Sequence, residues 1–250
     1  MQIIENGPLG LRSAVLRLQS RNASCSYLLF PMVHIGAPAF YDAVAARAAE
    51  CDHILVEGVR HQLMAVAGRM YDRVAASSRM RLTVQRVMVP ALRPVKERIV
   101  NIDMPPDQFQ ALWRRQPLWT RLFLPSLFRL VFWHSSKFGT RKQVAQRMAL
   151  ELAPSRLEIL RMGDELEFTK LLRDRRDEYI VARLDEFHER HRNKTVTVAI
   201  IFGASHMRAI VRHLIDRHGY VATAGSWLTI FDWNLPTVAP VIPPRPNIGA

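Results

Sequence analysis

Two predicted strands that each lead into a histidine turn constrain the fold of this chain more than any other feature. The first, Ser26 to Phe30, is an apolar run too short for a helix, and His34 follows it. The second, Thr195 to Phe202, is rich in β-branched residues and is followed by His206. Both turns have the pattern Phe, three residues, His, and both precede a segment in which apolar residues recur at helical spacing.

Strand and helix patterns alternate around these turns. A helix is predicted after Pro38, and Ile54 to Val56 is typical of a second buried strand that stops at Glu57. Residues 26–57 therefore predict a βαβ unit with a parallel strand pair and a right-handed crossover. We also expect two helices within residues 60–90, a strand at 98–103, helices broken at Pro117 and Pro125 over 108–152, a long helix at about 156–192, a helix from 206 that stops at Gly219, and one or two strands at 220–230.

One α/β domain with a mostly parallel central sheet flanked by helices accounts for this order of elements. The chain has 250 residues, of which 49% are hydrophobic, so one core of this size is within reach. We predict a single domain over residues 1–234, with a helical insertion at about 104–152 between the two histidine-bearing halves. Residues 235–250 are rich in proline and are predicted to form an extended tail.

The positive charge of the chain is concentrated in one stretch. Residues 60–147 contain 17 Lys or Arg and 4 Asp or Glu, which accounts for the whole net charge of +13. Such a region favours acidic lipids, nucleic acid or acidic peptides as partners, although a solvated basic surface explains it equally well. Nucleic acid is the least favoured partner, because no known reader motif is present.

An apolar and aromatic segment, Leu118 to Trp133, lies within this basic stretch. A membrane-spanning helix needs about 20 apolar residues with few charges. This segment is shorter and contains Arg121 and Arg129, so we do not expect it to span a bilayer. Two interpretations stay open: it packs on the core or covers a groove as a lid, or it makes a peripheral membrane contact.

The two cysteines, Cys25 and Cys51, lie beside or within predicted core elements and show no metal-ligand spacing. We predict buried free thiols in a reducing compartment. The first 19 residues alternate polar and apolar side chains and lack the pattern of a secretory signal. A cytoplasmic location is therefore expected, with membrane-peripheral attachment as an alternative.

The predicted turns bring polar side chains to one edge of the sheet. Ligand sites of open α/β sheets lie beyond the carboxyl ends of parallel strands, where His34, His206 and Glu57 are expected. Two imidazoles and a carboxylate suit a divalent metal with an open water position, and also general acid–base catalysis. The structural alternatives are hydrogen-bonded histidines and a helix cap at Glu57. For Asp103, which also ends a predicted strand, a cap is the better explanation.

Other chemistries find less support in the sequence. There is no HExxH, phosphate-binding loop, GxSxG or CxxC pattern, which disfavours hydride transfer, classical serine hydrolysis and nucleotide hydrolysis by a P-loop. The remaining helical histidines, His188, His191, His213 and His218, are predicted to lie among charges on helix surfaces.

These residues resemble the TraB/PrgY/GumN family, which belongs with the Tiki proteases and the erythromycin-esterase-like proteins in one superfamily. The resemblance covers most of residues 26–230. The family has two Gly-x-x-His turns, a strand ending in Val-Glu, an Arg-Asn or Arg-Asp pair in a long helix, and a closing Gly-Tyr. The corresponding residues are Pro31-Met32-Val33-His34, Ile54-Leu55-Val56-Glu57, Arg176-Asp177, Gly203-Ala204-Ser205-His206 and Gly219-Tyr220. Pro31 replaces the usual glycine and predicts a reshaped first turn.

The resemblance implies a metal-dependent, peptidase-like hydrolase acting on a peptide or a small ester or amide. His34, Glu57 and His206 would hold a divalent ion whose bound water attacks the carbonyl. Arg176 would stabilise the oxyanion or bind a substrate carboxylate, with a surface ion pair as its structural alternative. The competing hypothesis is a non-catalytic module whose basic, aromatic region holds a membrane surface or an anionic partner.

Overall fold

The computed structural model describes residues 3–59, 61–77, 80–152 and 163–233, which form an α/β fold with a mostly parallel mixed sheet flanked by helices. The predicted fold class is thus confirmed. The strands are β1 Ile4–Asn6, β2 Gly10–Ser20, β3 Ala23–Met32, β4 Ile35–Gly36, β5 His53–Val56, β6 Thr83–Val84, β7 Ile99–Asn101, β8 Thr197–Gly203 and β9 Val221–Asp232. The helices are α1 Pro38–Ala49, α2 Gln62–Ala75, α3 Val89–Leu92, α4 Pro106–Arg114, α5 Leu118–Phe138, α6 Arg141–Leu152, α7 Gly163–His191 and α8 Ala204–His218.

The main sheet has the strand order β1-β2-β3-β8-β5-β7, and β9 also pairs with β2. Strands β3, β8, β5 and β7 are parallel, whereas β1, β2 and β9 pair in antiparallel fashion. Strands β4 and β6 form a small separate sheet. The parallel half therefore carries the carboxyl-terminal edge at which the sequence predicts a site.

Strands β3 and β5 are parallel but are not neighbours, so the predicted direct pair within residues 26–57 is wrong. β8 lies between them, and its Ile201 is the register partner of both Phe30 and Val56. β8 contains the continuous buried run Val198–Phe202, which suits a central strand that is covered on both faces. Its insertion is a long-range event, which the local pattern of residues 26–57 cannot encode.

The two faces of β8 contact different parts of the core. Val198, Ile200 and Phe202 pack in one cluster with α7 and α8, whereas Ala199 and Ile201 pack in another with α1. This alternation follows from the period of two along a strand. The sheet therefore lies between α1 on one face and the pair α7 and α8 on the other.

Several predicted boundaries differ from the structure. Residues 60–90 contain one long helix, α2, followed by short elements, and the strand at 98–103 is limited to Ile99–Asn101. Pro117 separates α4 from α5 as predicted, but α5 continues through Pro125. The Ser126 hydroxyl donates to the carbonyl of Leu122 at 3.2 Å, which adds a hydrogen bond beside the one that the proline cannot make.

The end of α8, the last strand and the cysteines are close to the prediction, whereas the first strands are not. α8 stops at its cap Gly219, whose φ of +66° confirms the glycine stop, and the one or two strands predicted at 220–230 are the single strand β9, Val221–Asp232. Cys25 and Cys51 are both buried and free, as expected. Strands β1 and β2 were not predicted, although β2 pairs along both of its edges. The first part of the predicted helix at 156–192 and the tail at 235–250 lie outside the described residues.

Candidate functional site

The carboxyl ends of four parallel strands meet at one edge of the sheet. β3, β8, β5 and β7 lie side by side there and end at Met32, Gly203, Val56 and Asn101. The chain immediately beyond these ends carries His34, His206 and Glu57, which the sequence predicts at this edge, and also Asp103. The structure therefore brings residues from four separate strand ends to one place.

Glu57 is held as an anion at the centre of this edge. Its Oε2 accepts a hydrogen bond from the backbone N–H of Gly203 at 2.5 Å, and its Oε1 accepts one from Arg176 Nη2 at 2.9 Å. Burial alone would raise the pKa of Glu57, but His206, Arg176, His34 and the Gly203 N–H together lower it to about 2. Glu57 is therefore ionised at any physiological pH.

Arg176 links Glu57 to a second carboxylate, that of Asp103. Arg176 Nε donates to Asp103 Oδ1 at 3.2 Å, and Nη2 donates to Oδ2 at 2.6 Å. The Asp103 side chain is 0% exposed and also accepts the N–H groups of Gly58 and Met104. Burial alone would lower the pKa of Arg176, but the two carboxylates raise it above its ordinary value. Arg176 therefore belongs to a largely buried network and not to the surface ion pair that was its structural alternative.

His206 is oriented by Asp177, the residue next to Arg176 on α7. His206 Nδ1 and Asp177 Oδ1 are 2.5 Å apart, and the imidazole is buried. Because a carboxylate can only accept, the proton of a neutral His206 lies on Nδ1 and leaves the lone pair on Nε2. Nε2 lies 3.9 Å from Glu57 Oε1. The ring therefore presents its basic nitrogen to the Glu57 side of the site.

His34 lies at the open side of the same site. Its ring packs on Tyr71 with centroids 4.5 Å apart, and its carbonyl accepts the N–H of Gln85 at 3.1 Å. Although the residue as a whole is exposed, desolvation lowers the pKa of His34. The Glu57 carboxylate opposes this change, whereas Arg176 and His206 add to it. The four residues predicted from the sequence therefore share one electrostatic environment.

The two histidine turns, similar in sequence, differ in structure. In the parallel ladder Pro31 is the register partner of Phe202, and Met32 is that of Gly203. Pro31 therefore belongs to β3, and its carbonyl accepts the hydroxyl of Ser13 at 2.7 Å. A Cβ atom at Gly203 would lie 2.9 Å from Glu57 Oε2, so the second turn requires glycine for close approach to that carboxylate.

Three residues of this site were not among the predicted site residues: Asp103, Asp177 and Gly203. Asp103 follows the strand next to that of Glu57, and its position at a strand end was the available signal. The sequence pattern distinguishes Asp177 only as the neighbour of Arg176. Adjacent residues on a helix point about 100° apart, so Arg176 and Asp177 face different partners, but local spacing does not identify those partners.

In the described part of the chain, the groups with metal-ligand geometry are not those predicted from the sequence. His34, Glu57 and His206 do not form a group whose ligand atoms all lie within 4.8 Å of one another. Two other groups do: Asp185 with His213 and His218, and His188 with Glu189 and His218. His188 is buried, which corrects its predicted place on a helix surface. The structure thus contains His, Asp and Glu groups at metal-binding distance, on helices α7 and α8.

Helix α5 presents an exposed apolar face beside this site. Its large exposed apolar side chains are Leu118, Trp119, Leu122, Phe123, Leu130 and Trp133. Its partly buried Phe132 contacts Tyr71 with ring centroids 4.9 Å apart, and Tyr71 in turn contacts His34. Across the described residues, no helix has the length and apolar character required to cross a membrane.

Comparisons of this chain with protein-family models, with curated proteins and with solved structures give no match.

Proposed function

We propose that this protein is a hydrolase that cleaves a peptide or a small ester or amide at the site of His34, Glu57, Arg176 and His206. This is the activity implied by the resemblance to the TraB/PrgY/GumN family. The observation that carries the proposal is the 2.5 Å contact between Asp177 and His206 Nδ1, with His206 Nε2 facing Glu57. A buried imidazole oriented in this way is suited to act as a general base.

The reaction follows from the charges around His206. Its Nε2 takes a proton from a water molecule as the water oxygen forms a bond to the substrate carbonyl carbon. The resulting imidazolium is stabilised by Asp177 and Glu57, and it then gives the proton to the leaving nitrogen or oxygen as the scissile bond breaks. The N–H of a neutral His34 is suited to stabilise the developing oxyanion.

Arg176 serves in this proposal as a positioning residue. Its Nε and Nη2 already donate to Asp103 and Glu57, so its guanidinium fixes the carboxylate that faces His206. The oxyanion-binding role expected from the sequence would require Arg176 to exchange one of these partners for substrate.

A divalent metal ion gives a second form of the proposal, in which His206 Nε2 would be a ligand and the ion, in place of His206, would activate the water. Glu57 Oε1 and His206 Nε2 are 3.9 Å apart. Two ligands that each lie about 2.0–2.2 Å from one ion can be separated by up to about 4.4 Å, so this pair fits two ligand positions. His34 is the candidate for a third. Such an ion would polarise the carbonyl and lower the pKa of a bound water, whereas the Arg176 cation on the same Oε1 opposes its binding.

The test is hydrolysis of a panel of quenched fluorescent peptides and p-nitrophenyl esters by the full chain. We expect His206→Gln and Glu57→Gln each to reduce kcat/KM by about 10²- to 10⁴-fold. His191→Gln is the control, because His191 lies on α7 and its Nδ1 contacts the carbonyl of Phe187, away from the site. Equal activity in His206→Gln and His191→Gln, or no hydrolysis of any substrate, would reject the proposal.

A chelator decides the role of the metal in the same assay. Loss of activity after dialysis against EDTA, with recovery on addition of a divalent ion, would support the metal-dependent form. Full activity in the chelated protein would leave His206 as the base and remove the ion from the proposal.

A second candidate function is attachment to an anionic membrane surface through α5. The observation that favours it is the exposed apolar face of Leu118, Trp119, Leu122, Phe123, Leu130 and Trp133, within the basic stretch of residues 60–147. Aromatic and basic residues on one helix suit binding at the level of the lipid headgroups.

Sedimentation with liposomes tests this second function. We expect binding to vesicles that contain phosphatidylserine, weaker binding in high salt, and loss of binding in Trp119→Ser, Phe123→Ser. Binding should survive in His34→Ala, His206→Ala, which separates the two candidate functions. A protein that stays in the supernatant with both acidic and neutral vesicles would reject it.

A further inference from the structure

A second polar cluster lies between α7 and α8, away from the strand ends that carry the first site. Asp185 Oδ1 is 2.7 Å from His213 Nε2 and 2.6 Å from His218 Nε2. All three side chains are partly buried, so they are held by the protein and still reachable from solvent. One oxygen of Asp185 thus lies next to the Nε2 atoms of two imidazoles.

We propose that Asp185, His213 and His218 bind one divalent ion of the zinc type. Their ligand atoms all lie within 4.8 Å of one another, as the ligands of a single ion must. Ligands at about 2.0–2.2 Å from a tetrahedral ion are separated by about 3.4 Å, so each contact to Asp185 would lengthen by less than an ångström. The fourth position would be open to water or to another side chain.

His188 and Glu189 lie beside this group but are not among its residues, whose ligand atoms all lie within 4.8 Å of one another. Together with His218 they form a second ligand group, and the rings of His188 and His218 are 3.9 Å apart. The Tyr27 hydroxyl lies 3.3 Å from His188 Nδ1, which helps to hold the ring in place. The two groups share His218, so they describe one connected cluster and not two distant sites.

The donor set determines which ions fit. Two imidazoles with one carboxylate suit Zn²⁺, Co²⁺ or Ni²⁺, whereas Mg²⁺ and Ca²⁺ prefer oxygen ligands. Arg217 Nε contacts the other oxygen of Asp185, Oδ2, at 2.9 Å, but the Arg217 side chain is 64% exposed. Its charge is therefore well screened by solvent, unlike that of Arg176 at the first site.

An ion at this cluster would fix α7 against α8. Asp185 follows Asp177 by eight residues and His213 follows His206 by seven, which correspond to about 12 Å and about 10 Å along the two helices. The cluster is thus two turns from the contact that orients His206. Binding of an ion should raise the melting temperature of the whole domain.

Calorimetric titration of the chelator-treated full chain with Zn²⁺ tests the proposal. The unchanged protein should bind one Zn²⁺ ion at this cluster. In the double variant His213→Gln, His218→Gln, we expect the affinity for that ion to be at least about 100-fold weaker. Gln keeps an N–H that can reach Asp185 but is a poor zinc ligand. The matched control is His53→Gln, His191→Gln, a ring pair with centroids 4.8 Å apart outside the cluster, which should bind as the unchanged protein does.

A second double variant separates Zn²⁺ binding at this cluster from any ion bound at the site of His34, Glu57 and His206. His34→Ala, His206→Ala should leave the ion of the cluster in place, and hydrolysis by the chelated protein would not bear on it. The absence of Zn²⁺ binding by the unchanged protein would overturn the proposal, as would equal binding in His213→Gln, His218→Gln. Tighter binding of Mg²⁺ or Ca²⁺ than of Zn²⁺ would also overturn it.

Discussion

Helices α7 and α8 contact each other through two histidine–carboxylate pairs that differ in what surrounds them. His206 and Asp177 lie beside the Glu57–Arg176–Asp103 network at the strand ends. His213 and Asp185 lie about two turns away, where a second imidazole, that of His218, shares the same oxygen.

The two clusters differ in what the remaining nitrogen or oxygen atoms of each pair face. Nδ1 of His206 contacts the Asp177 carboxylate at 2.5 Å, and its Nε2 faces the Glu57 carboxylate at 3.9 Å, which suits proton transfer. In the other cluster two imidazoles converge on one carboxylate oxygen, which suits a shared ion. A histidine–aspartate pair therefore supports different chemistry in the two clusters, because the residues around the pair determine which partners are within reach of it.

The largest expected effect separates the two arginines of these clusters. Arg176→Leu leaves the fully buried Asp103 carboxylate without its cation and should lower the free energy of unfolding by about 3–5 kcal/mol. Arg217→Leu removes an exposed partner of Asp185 and should cost less than about 1 kcal/mol. Urea denaturation measures both. Equal losses would contradict the view that only the first network is buried.

The loss of stability at acid pH is expected to depend on Glu57. Its pKa falls from an ordinary value of 4.5 to about 2 on folding, so its contribution is present above pH 4.5 and is lost as the pH falls toward 2. The contribution is at most about 3 kcal/mol. In urea titrations of the chelator-treated protein between pH 2 and 6, Glu57→Gln should flatten this part of the curve. An unchanged slope would argue against an anionic Glu57.

The two glycines that flank α8 should respond differently to larger side chains. Gly203→Ala places a Cβ 2.9 Å from Glu57 Oε2, and this steric conflict should cost about 1–3 kcal/mol. Gly219→Ala should cost about 1–2 kcal/mol for a different reason, its φ of +66°.

Asparagine variants distinguish the steric conflict at Gly203 from the positive φ at Gly219, with the melting temperature as the measurement. Asn tolerates the left-handed region, and a Cβ at Gly219 meets only ordinary contacts, so Gly219→Asn should recover most of the loss. Gly203→Asn should recover none of it. Recovery at Gly203 would show that the approach of Glu57 is not what requires glycine there.

The smallest expected effect is that of His213→Gln on the metal-free protein. The side chain is partly exposed and Gln can still donate to Asp185, so the free energy of unfolding should change by less than about 1 kcal/mol. Addition of Zn²⁺ should raise the melting temperature of the unchanged protein and not that of His213→Gln, His218→Gln. A large loss without metal would mean that the cluster is structural by itself.

Much of the first site could be predicted because it follows strand ends. His34, Glu57 and His206 come directly after buried runs, and parallel strands bring their carboxyl ends to one edge whichever strand lies beside which. The order of the strands was not predictable from the same runs, and β8 between β3 and β5 is the example. Pairing of distant strands depends on burial of both faces of the sheet. The residues that cover those faces are far apart in sequence, so no window of about 30 residues contains them all.

The sequence alone determined the approximate ends of the strands that precede His34, Glu57 and His206, the α/β class and the glycine that stops α8, because local apolar spacing and backbone preference encode such features. Only the tertiary structure decided that Arg176 and Asp177 meet different partners, that Asp103 is buried with Arg176, and that His213 and His218 share Asp185. The physical reason is that the effect of a charge depends on its distance to other charges and on the loss of water, and packing of the whole chain sets both.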